Sequence, residues 1–369
     1  AIWPNKNPES TRDGPINLLR HRDIQHILQS DIPTYSMVHY KSEAYVRRIN
    51  AQPPKKIKTV LRATTQGFFA LTSAPFAFGG HWQNDNGTEV VIGDKLNQKL
   101  FAGKNSVGKS IEIDNKHYQI VGVLKPWSLS PLFYDLFMDN KFSETADLFA
   151  PLETAIDNNW GIRTMARATE APGKLSESRE RNYFYLQAFV QLDNKQQHTA
   201  FQLYLDNYSK MLKKAGLHPH DINNLLYDVP TWLKKNKVVD QKIVALAFIT
   251  LLFLAVCIFN ASSLLLAYYQ KRNFETWLRR SLGASKQQII SQGVIESFLI
   301  GLSTSLLALV FSWLFLRYLV TLFDHLKNIA QFDMQLVLLG LCITFITTLL
   351  SSLYPLYRAS KVNLSATLK

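Results

Sequence analysis

Residues 243–269 read IVALAFITLLFLAVCIFNASSLLLAYY, a run of 27 residues without a charged side chain. A helix needs about 20 apolar residues to cross the hydrocarbon core of a bilayer. Residues 297–323 form a second apolar run, interrupted by Arg317, and residues 334–357 form a third. Backbone amides in lipid must be bonded within their own segment, so these runs predict three membrane helices. The alternative is three core helices of a large soluble domain.

The charges between these runs predict an orientation. Segment 270–288 holds five basic residues against one acidic residue, Glu275, and the tail after 357 holds three basic residues and no acidic one. By the positive-inside rule, both segments are cytoplasmic and the 324–333 loop lies outside. Three crossings then place residues 1–240 outside the cytoplasm, with a stalk expected at about 231–240.

The first residues, AIWPNKNP, resemble the interfacial end of a helix that stops at Pro4. We therefore expect a further membrane helix before Ala1. A cleaved signal peptide is the alternative.

Composition excludes several classes of protein. Cys257 and Cys342 both lie in apolar runs, so neither a disulfide scaffold nor a cysteine zinc site is predicted. The aromatic content of 12% argues against a disordered chain. The net charge of +13 is explained by membrane topology and an anionic lipid surface, so no nucleic-acid partner is predicted.

The extracytoplasmic part is predicted to be an α+β domain. Alternating patterns indicate strands at about 36–40, 44–50, 56–64, 88–92, 110–114, 117–124 and 181–192. Helices are predicted at about 65–72, 93–102 and 199–215, and residues 126–181 are expected to be irregular.

One motif suggests nucleotide binding. Residues 103–110, GKNSVGKS, match the phosphate-loop pattern GxxxxGK[ST]. That loop requires a strand before it and a helix after it, whereas here a helix is predicted before and a strand after. We therefore interpret the match as a glycine-bearing turn.

No catalytic or metal-ligating constellation stands out, so no enzyme activity and no bound cofactor are predicted. His218 and His220 flank a proline and are the nearest approach to a metal site. Without carboxylates or cysteines at ligand spacing, a solvated turn is the preferred interpretation.

Three stretches resemble one family. They are TTQGFFALTSAPFAFGGHW (64–82) with VVIGDKLNQKLFAGKNSVGKSIEIDNKHYQIVGVLKPW (90–127), FETWLRRSLGASKQQIISQGVIES (274–297), and YPLYRASKVNLSATL (354–368). Together they are similar to the MacB/FtsX-type permeases of ATP-binding cassette transporters, also called the type VII or mechanotransmission group. The last stretch departs from the family at Leu364, where proline is usual, and at Ala366.

The resemblance implies a subunit of the bacterial inner membrane with a MacB-like periplasmic core domain (1–240) and an FtsX-like transmembrane domain (241–369). Four helices are expected, the first before residue 1. Two permease copies, identical or related, would work with a cytoplasmic ATPase that binds ATP and Mg²⁺. A periplasmic adaptor and an outer-membrane channel are further expected partners in efflux. The alternative is an FtsX-like signalling protein that regulates a periplasmic enzyme or lipoprotein release.

The resemblance also implies that residues 274–288, within the cytoplasmic loop 270–288, form a short ATPase-coupling helix. Its chemistry suits an interface, because it combines basic side chains with apolar anchors, and Gly283 is predicted to end the helix. An amphipathic segment lying on anionic lipid is the alternative. Glu296 would be costly facing lipid, so pairing with a base, capping or a coupling role is expected. The predicted coupling residues are Glu275, Trp277, Leu278, Arg279, Arg280, Leu282, Gly283, Ala284, Ser285 and Lys286.

Overall fold

The computed structural model describes residues 18–49, 56–129, 131–136, 145–163, 166–168, 173–217, 222, 224–238, 241–322 and 334–360. The chain forms two compact units, residues 1–238 and 239–369. The N-terminal octapeptide, His218, His220, the 324–333 loop and the C-terminal tail after 360 lie outside the described residues.

An eight-stranded mixed sheet organises the first unit. Its strands are β1 (Tyr35–Arg48), β2 (Ile57–Thr64), β3 (Phe76–Gly79), β4 (Glu89–Ile92), β5 (Ser110–Ile113), β6 (Lys116–Leu124), β7 (Leu148–Pro151) and β10 (Gln187–Gln191). They lie in the order β10-β1-β2-β7-β4-β6-β3, and β5 pairs with both β1 and β6. The β2–β7 and β4–β6 pairs are parallel and the others antiparallel. Strands β8 (Arg167–Ala168) and β9 (Tyr183–Phe184) form a separate pair.

Hydrophobic cores lie on both faces of this sheet. Because successive residues of a strand point to opposite faces, Leu148 joins one core and Phe149 the other. The first core includes residues of α1 (His21–Leu28), α3 (Asp94–Phe101), α4 (Leu152–Asp157), the 3₁₀ helix η1 (Leu175–Arg179) and α5 (Lys195–Lys214). The second core includes residues of α2 (Gly67–Leu71), segment 131–136 and α6 (Val229–Lys235).

Three details of the sheet differ from the sequence prediction. The two short strands predicted within 36–50 are one 14-residue strand, β1. The irregular stretch predicted at 126–181 contains α4 and the central strand β7, whose four residues are all buried. A strand buried on both faces shows no alternation, so its pattern in the sequence is weak. The hairpin turn lies at Asp114 and Asn115, one residue earlier than predicted, and both have positive φ.

The second unit is helical. It contains α7 (Gln241–Lys271), α8 (Asn273–Ser281), α9 (Lys286–Leu322) and α10 (Met334–Ser360). Among the described residues, Val244–Tyr268 and Gln287–Leu322 are long and apolar enough to cross a membrane, and Val337–Ser352 is a shorter apolar stretch. The helical character predicted for the C-terminal part is therefore confirmed.

Helix α10 packs against both α7 and α9. On α9, small residues recur every fourth position at Gly293, Ser297, Gly301 and Ser305, and all four are buried. A side chain added at Gly301 would meet Thr348 of α10 at 3.4 Å. Small residues at this spacing let two helix backbones approach closely without a hydrophobic driving force.

Two predicted segments can be compared with the structure. A helix was predicted within segment 270–288, and α8 lies there, between α7, which extends to Lys271, and α9, which begins at Lys286, 11 residues before the predicted membrane span. The segment at 231–240 is not one helix, because α6 ends at Lys235 and Lys237 has a φ of +49°. Trp232 of α6 is buried in the first unit, where its Nε1 donates to Phe133 O at 2.9 Å.

Candidate functional site

Helix α8 ends at a glycine turn. Ala284 N donates to Arg279 O at 3.0 Å and Gly283 N donates to Arg280 O at 3.1 Å. These two bonds form a Schellman motif, which requires a residue with positive φ after the helix. Gly283 has a φ of +101°, a conformation that glycine adopts without steric penalty. The prediction that Gly283 ends the helix is confirmed.

Helix α9 begins at Lys286, after Ser285, and reciprocal side-chain caps mark its start. Ser285 Oγ accepts a hydrogen bond from Gln288 N at 3.2 Å, and Ser285 N donates to Gln288 Oε1 at 2.8 Å. This capping box satisfies two backbone donors at the helix start. The turn from Gly283 to Gln288 therefore fixes where α8 stops and α9 starts. Ser285 was predicted to take part in coupling; its S-x-x-Q spacing was the signal for this capping role.

One arginine links the three helices of this region. Arg272 Nη1 donates to the Tyr268 hydroxyl of α7 at 2.8 Å, its Nε lies 2.9 Å from Glu275 Oε2 of α8, and its Nη1 lies 3.3 Å from Glu296 Oε2 of α9. We call Tyr268, Arg272, Glu275 and Glu296 the Arg272 junction. The hydrogen bond to Glu275 raises the pKa of Arg272 and lowers the pKa of Glu275. Both charges therefore persist at physiological pH.

Arg279 adds a second connection between α8 and α9. Its Nη2 lies 2.8 Å from Glu275 Oε1 and its Nη1 donates to Gln292 Oε1 at 2.5 Å. Gln292 Nε2 in turn donates to Glu296 Oε1 at 3.2 Å. The sequence left three roles open for Glu296, namely pairing with a basic residue, capping and coupling. The structure shows that Glu296 pairs with Arg272.

The outward side of α8 is apolar. Phe274, Leu278 and Leu282 recur every fourth residue, which places them on one helix face, and they are 69%, 46% and 81% exposed. We call these three residues the apolar stripe. Exposed aromatic and leucine side chains in a row are typical of a protein-binding surface.

The structure separates the predicted coupling residues into two groups. Glu275, Arg279, Gly283, Ser285 and Glu296 hold the geometry of the region, whereas Leu278 and Leu282 face outward. Arg280 and Ala284 are half-buried. The side chains of Trp277 and Lys286 lie outside what the structure describes. The sequence prediction missed Phe274, Tyr268, Arg272, Gln288 and Gln292; the i, i+4, i+8 spacing of the stripe would have identified Phe274.

The phosphate-loop match lies where the sequence predicted, between a helix and a strand. Residues 103–110 connect α3 to β5, so no helix N-terminus follows the loop. Ser106 Oγ donates to Asn97 Oδ1 of α3 at 2.8 Å, and the Lys109 ammonium lies 5.1 Å from the centre of the Phe101 ring. The lysine that would contact phosphate in such a loop therefore packs on the preceding helix.

A buried charge cluster lies in the first unit, on the face covered by segment 131–136. Asp135 Oδ2 lies 2.6 Å from Arg62 Nη2 and 3.2 Å from Lys41 Nζ, and Arg62 Nη1 lies 3.3 Å from His39 Nδ1. Burial lowers the pKa of His39 well below its ordinary value, and Arg62 lowers it further. Although burial opposes ionisation, Arg62 and Lys41 together lower the pKa of Asp135 to about 2. Through Asp135, the cluster therefore links segment 131–136 to Lys41 of β1 and Arg62 of β2.

Three solved structures are similar to part of this chain. The periplasmic region of MacB from Actinobacillus actinomycetemcomitans is 13% identical with a TM-score of 0.39, over 62% of this chain and 88% of that one. The extracellular domain of the noncanonic ABC-type transporter YknZ from Gram-positive bacteria is 12% identical with a TM-score of 0.38, over 61% and 98%. A domain of a putative permease from Porphyromonas gingivalis is 16% identical with a TM-score of 0.35, over 54% and 78%. No curated protein sequence matches significantly.

Family comparisons cover most of the chain. The MacB-like periplasmic core domain matches residues 2–207, which is more than half of the 369 residues. The FtsX-like permease C-terminal domain matches residues 247–364. The two matches follow one another in the order expected from the resemblance, and α8 with its apolar stripe falls within the second. The chain belongs to the MacB/FtsX-type family of ATP-binding cassette transporter permeases.

Proposed function

We propose that this chain is the permease subunit of an export system in the bacterial inner membrane, and that a separate cytoplasmic ATPase docks on α8. The apolar stripe of Phe274, Leu278 and Leu282 carries this proposal, because it is exposed while Glu275 and Arg279 of α8 are held by ion pairs. The chain would contribute no nucleotide site of its own, and the partner would bind ATP and Mg²⁺.

The charge arrangement favours a protein partner over a lipid surface for α8. A helix that lies on anionic lipid uses its basic side chains to contact headgroups. Here Arg272 and Arg279 bind Glu275, Glu296 and Gln292 within the protein. These contacts fix the orientation of α8 relative to α7 and α9. A protein interface needs such a fixed orientation, whereas adsorption to lipid does not.

The Arg272 junction supports a mechanical role. Because Arg272 bonds to α7, α8 and α9, a displacement of α8 by the ATPase would move both long helices together. The motion would reach the periplasmic domain. A second permease copy, a periplasmic adaptor and an outer-membrane channel would complete the efflux system. The substrate need not pass between the membrane helices.

A double substitution tests the docking site. Leu282→Ala with Arg280→Ala should weaken copurification of the ATPase about tenfold and reduce export, since truncating a leucine anchor and removing a basic side chain from an interface should together cost about 1–2 kcal/mol. Gln287→Ala is the control, because Gln287 is exposed at the start of α9 and lies off the stripe.

Unchanged ATPase binding and export in the double variant would contradict the proposal. Loss of ATPase coupling without any effect on export of a substrate would instead favour the regulatory role of FtsX-like proteins.

A further inference from the structure

A cluster of lysines lies at the end of α6, just before α7. Residues 234–242 read KKNKVVDQK and hold four lysines against one aspartate. The basic segment 270–288 follows the other end of α7, so this helix has lysine-rich chain on both sides. The positive-inside rule accounts for a basic segment on one side of a membrane only. The lysines before α7 therefore need another explanation.

The fold of α6 directs three of these lysines outward. Trp232 is buried on one side of α6, and Val238, which follows the helix, is buried in the same core. Lys234, Lys235 and Lys237 are exposed. We call these three residues the juxtamembrane lysines.

A hydrogen-bonded turn fixes the end of α6. Val238 N donates to Leu233 O at 3.1 Å and Lys237 N donates to Lys234 O at 3.0 Å. Lys237 lies in this turn with a φ of +49°, a conformation that glycine adopts at lower cost than a residue with a Cβ. The turn alone would therefore favour glycine at position 237, and the presence of lysine points to a use for its side chain.

Tyr227 holds a second of these lysines in place. Lys235 Nζ donates to the Tyr227 hydroxyl at 2.7 Å and lies 4.5 Å from the centre of the tyrosine ring. Lysine and tyrosine side chains each have an apolar body and a polar end, and both are favoured where protein meets lipid headgroups. The pair therefore has the chemistry of a membrane interface.

Covalent geometry keeps the juxtamembrane lysines close to the bilayer. Helix α7 begins at Gln241, and its stretch that is able to cross a membrane begins at Val244. Four residues of extended chain span at most about 14 Å, and three helical residues add about 5 Å. The Cα of Lys237 therefore lies within about 20 Å of the start of that stretch. The headgroup layer and the range of electrostatic attraction at physiological salt together extend about 15 Å.

We propose that the juxtamembrane lysines bind anionic phospholipid headgroups on the membrane surface from which α7 starts. An ammonium group is a compact charge with three donors, which suits the phosphate of a headgroup. Lipid is favoured over an acidic protein because the chain itself holds these lysines at the bilayer surface, where headgroups are the nearest anions. The proposal requires only that α7 spans a membrane, so it goes beyond the proposed function and does not depend on an ATPase docking on α8.

Native mass spectrometry of the full chain in detergent, with added phosphatidylglycerol or phosphatidylcholine, measures this binding. The triple variant Lys234→Gln, Lys235→Gln and Lys237→Gln should bind phosphatidylglycerol about tenfold more weakly or less tightly still, since each lysine beside anionic lipid contributes about fivefold in affinity. Binding of zwitterionic phosphatidylcholine should change little.

The matched control removes the same charge from another part of the first unit. Lys95→Gln, Lys99→Gln and Lys104→Gln alter three exposed lysines in and after α3, which packs on the opposite face of the sheet from α6. This variant should bind phosphatidylglycerol as the native chain does. Equal loss in the two triple variants would show an effect of net charge alone and would overturn the proposal.

Hydrogen exchange of the full chain in lipid nanodiscs tests the site within a bilayer. The backbone amides of residues 229–238 should exchange about two- to threefold more slowly in discs of equal parts phosphatidylglycerol and phosphatidylcholine than in phosphatidylcholine alone. The variant without the juxtamembrane lysines should show no such difference. The same protection in that variant, or loss of a copurifying acidic protein with unchanged lipid binding, would overturn the proposal. Copurification of the ATPase is a separate measurement, so either result would leave the proposed function intact.

Discussion

At the scale of single residues, His39 and Asp135 show how one buried cluster responds to acid in two stages. Both side chains contact Arg62, which is buried. His39 has a lowered pKa because it is buried beside a cation, so it stays neutral in the folded protein. Asp135 stays charged because Arg62 and Lys41 lower its pKa to about 2.

These shifts predict the pH dependence of stability for the first unit. Once unfolded, His39 would titrate near pH 6.5, so below that pH the unfolded state binds more protons and stability falls. The free energy of unfolding should drop by up to about 1.4 kcal/mol per pH unit between pH 6.5 and 5. The contribution of Asp135 should be full above about pH 5 and should be lost progressively as the pH falls from there towards 2.

Urea titrations of the intact protein, followed by the fluorescence of buried Trp82 and Trp232, measure this slope. His39→Gln should flatten it between pH 6.5 and 5, whatever its effect on absolute stability. His117→Gln is the control, because the His117 side chain is 66% exposed and should leave the slope in place. An unchanged slope in His39→Gln would show that another group is responsible.

At the scale of secondary-structure elements, the turn between α8 and α9 is specified by local chemistry. Gly283 closes one helix and Ser285 opens the next, so the angle between them depends on four hydrogen bonds made by backbone amides within six residues. The remaining constraint comes from Arg272, which is distant in sequence from Glu296. Together these contacts link α8 to both α7 and α9.

The Arg272 junction predicts a rescue experiment. Arg272→Gln should lower ATPase coupling and protein level, because Glu296 would lose the cation with which it pairs in α9. Adding Glu296→Gln should restore much of the protein level, since removing both charges leaves no unpaired ion. Coupling, measured as transport per ATP hydrolysed, should recover less, because the link between α7 and α9 stays broken.

Equal recovery of protein level and coupling would mean that the junction only stabilises the fold. Arg181→Gln is the control, since its ion pair with Glu177 is exposed on both sides and should contribute little.

At the scale of the whole molecule, the distribution of charge predicts an orientation in the membrane. By the positive-inside rule we expect the basic residues around α8 to lie in the cytoplasm, and the odd number of predicted crossings then predicts that the sheet domain lies on the other side. The proposed ATPase and the proposed periplasmic partners would then act on opposite faces of the same membrane.

Labelling by a membrane-impermeant maleimide tests this orientation. In the background lacking both native cysteines, Thr199→Cys in α5 should react in cells with a permeabilised outer envelope, whereas Ser281→Cys in α8 should react only after the inner membrane is opened. Both side chains are exposed within their own units, so accessibility alone does not distinguish them. Reaction of Ser281→Cys in cells with an intact inner membrane would contradict the orientation.

Features that depend on a short window of residues are predictable from the amino-acid sequence alone. Helical spans follow from apolar runs, the end of α8 from Gly283, and the false phosphate loop from the order of its neighbours. The same reasoning missed β7 and α4, because a four-residue strand buried on both faces has no period to detect. It also started α9 too late, because Glu296 interrupts the apolar run and its partner Arg272 lies 24 positions away.

The amino-acid sequence by itself determined that this protein has a helical membrane part, a mixed α and β domain and a basic segment between two apolar helices. Each of these follows from composition or periodicity within about 30 residues. Tertiary structure decided which side chains meet: Arg272 with Glu296, Arg62 with Asp135, and Leu61 of β2 beside Leu148 of β7. Such pairings depend on how the intervening chain folds back, and no local pattern encodes that path.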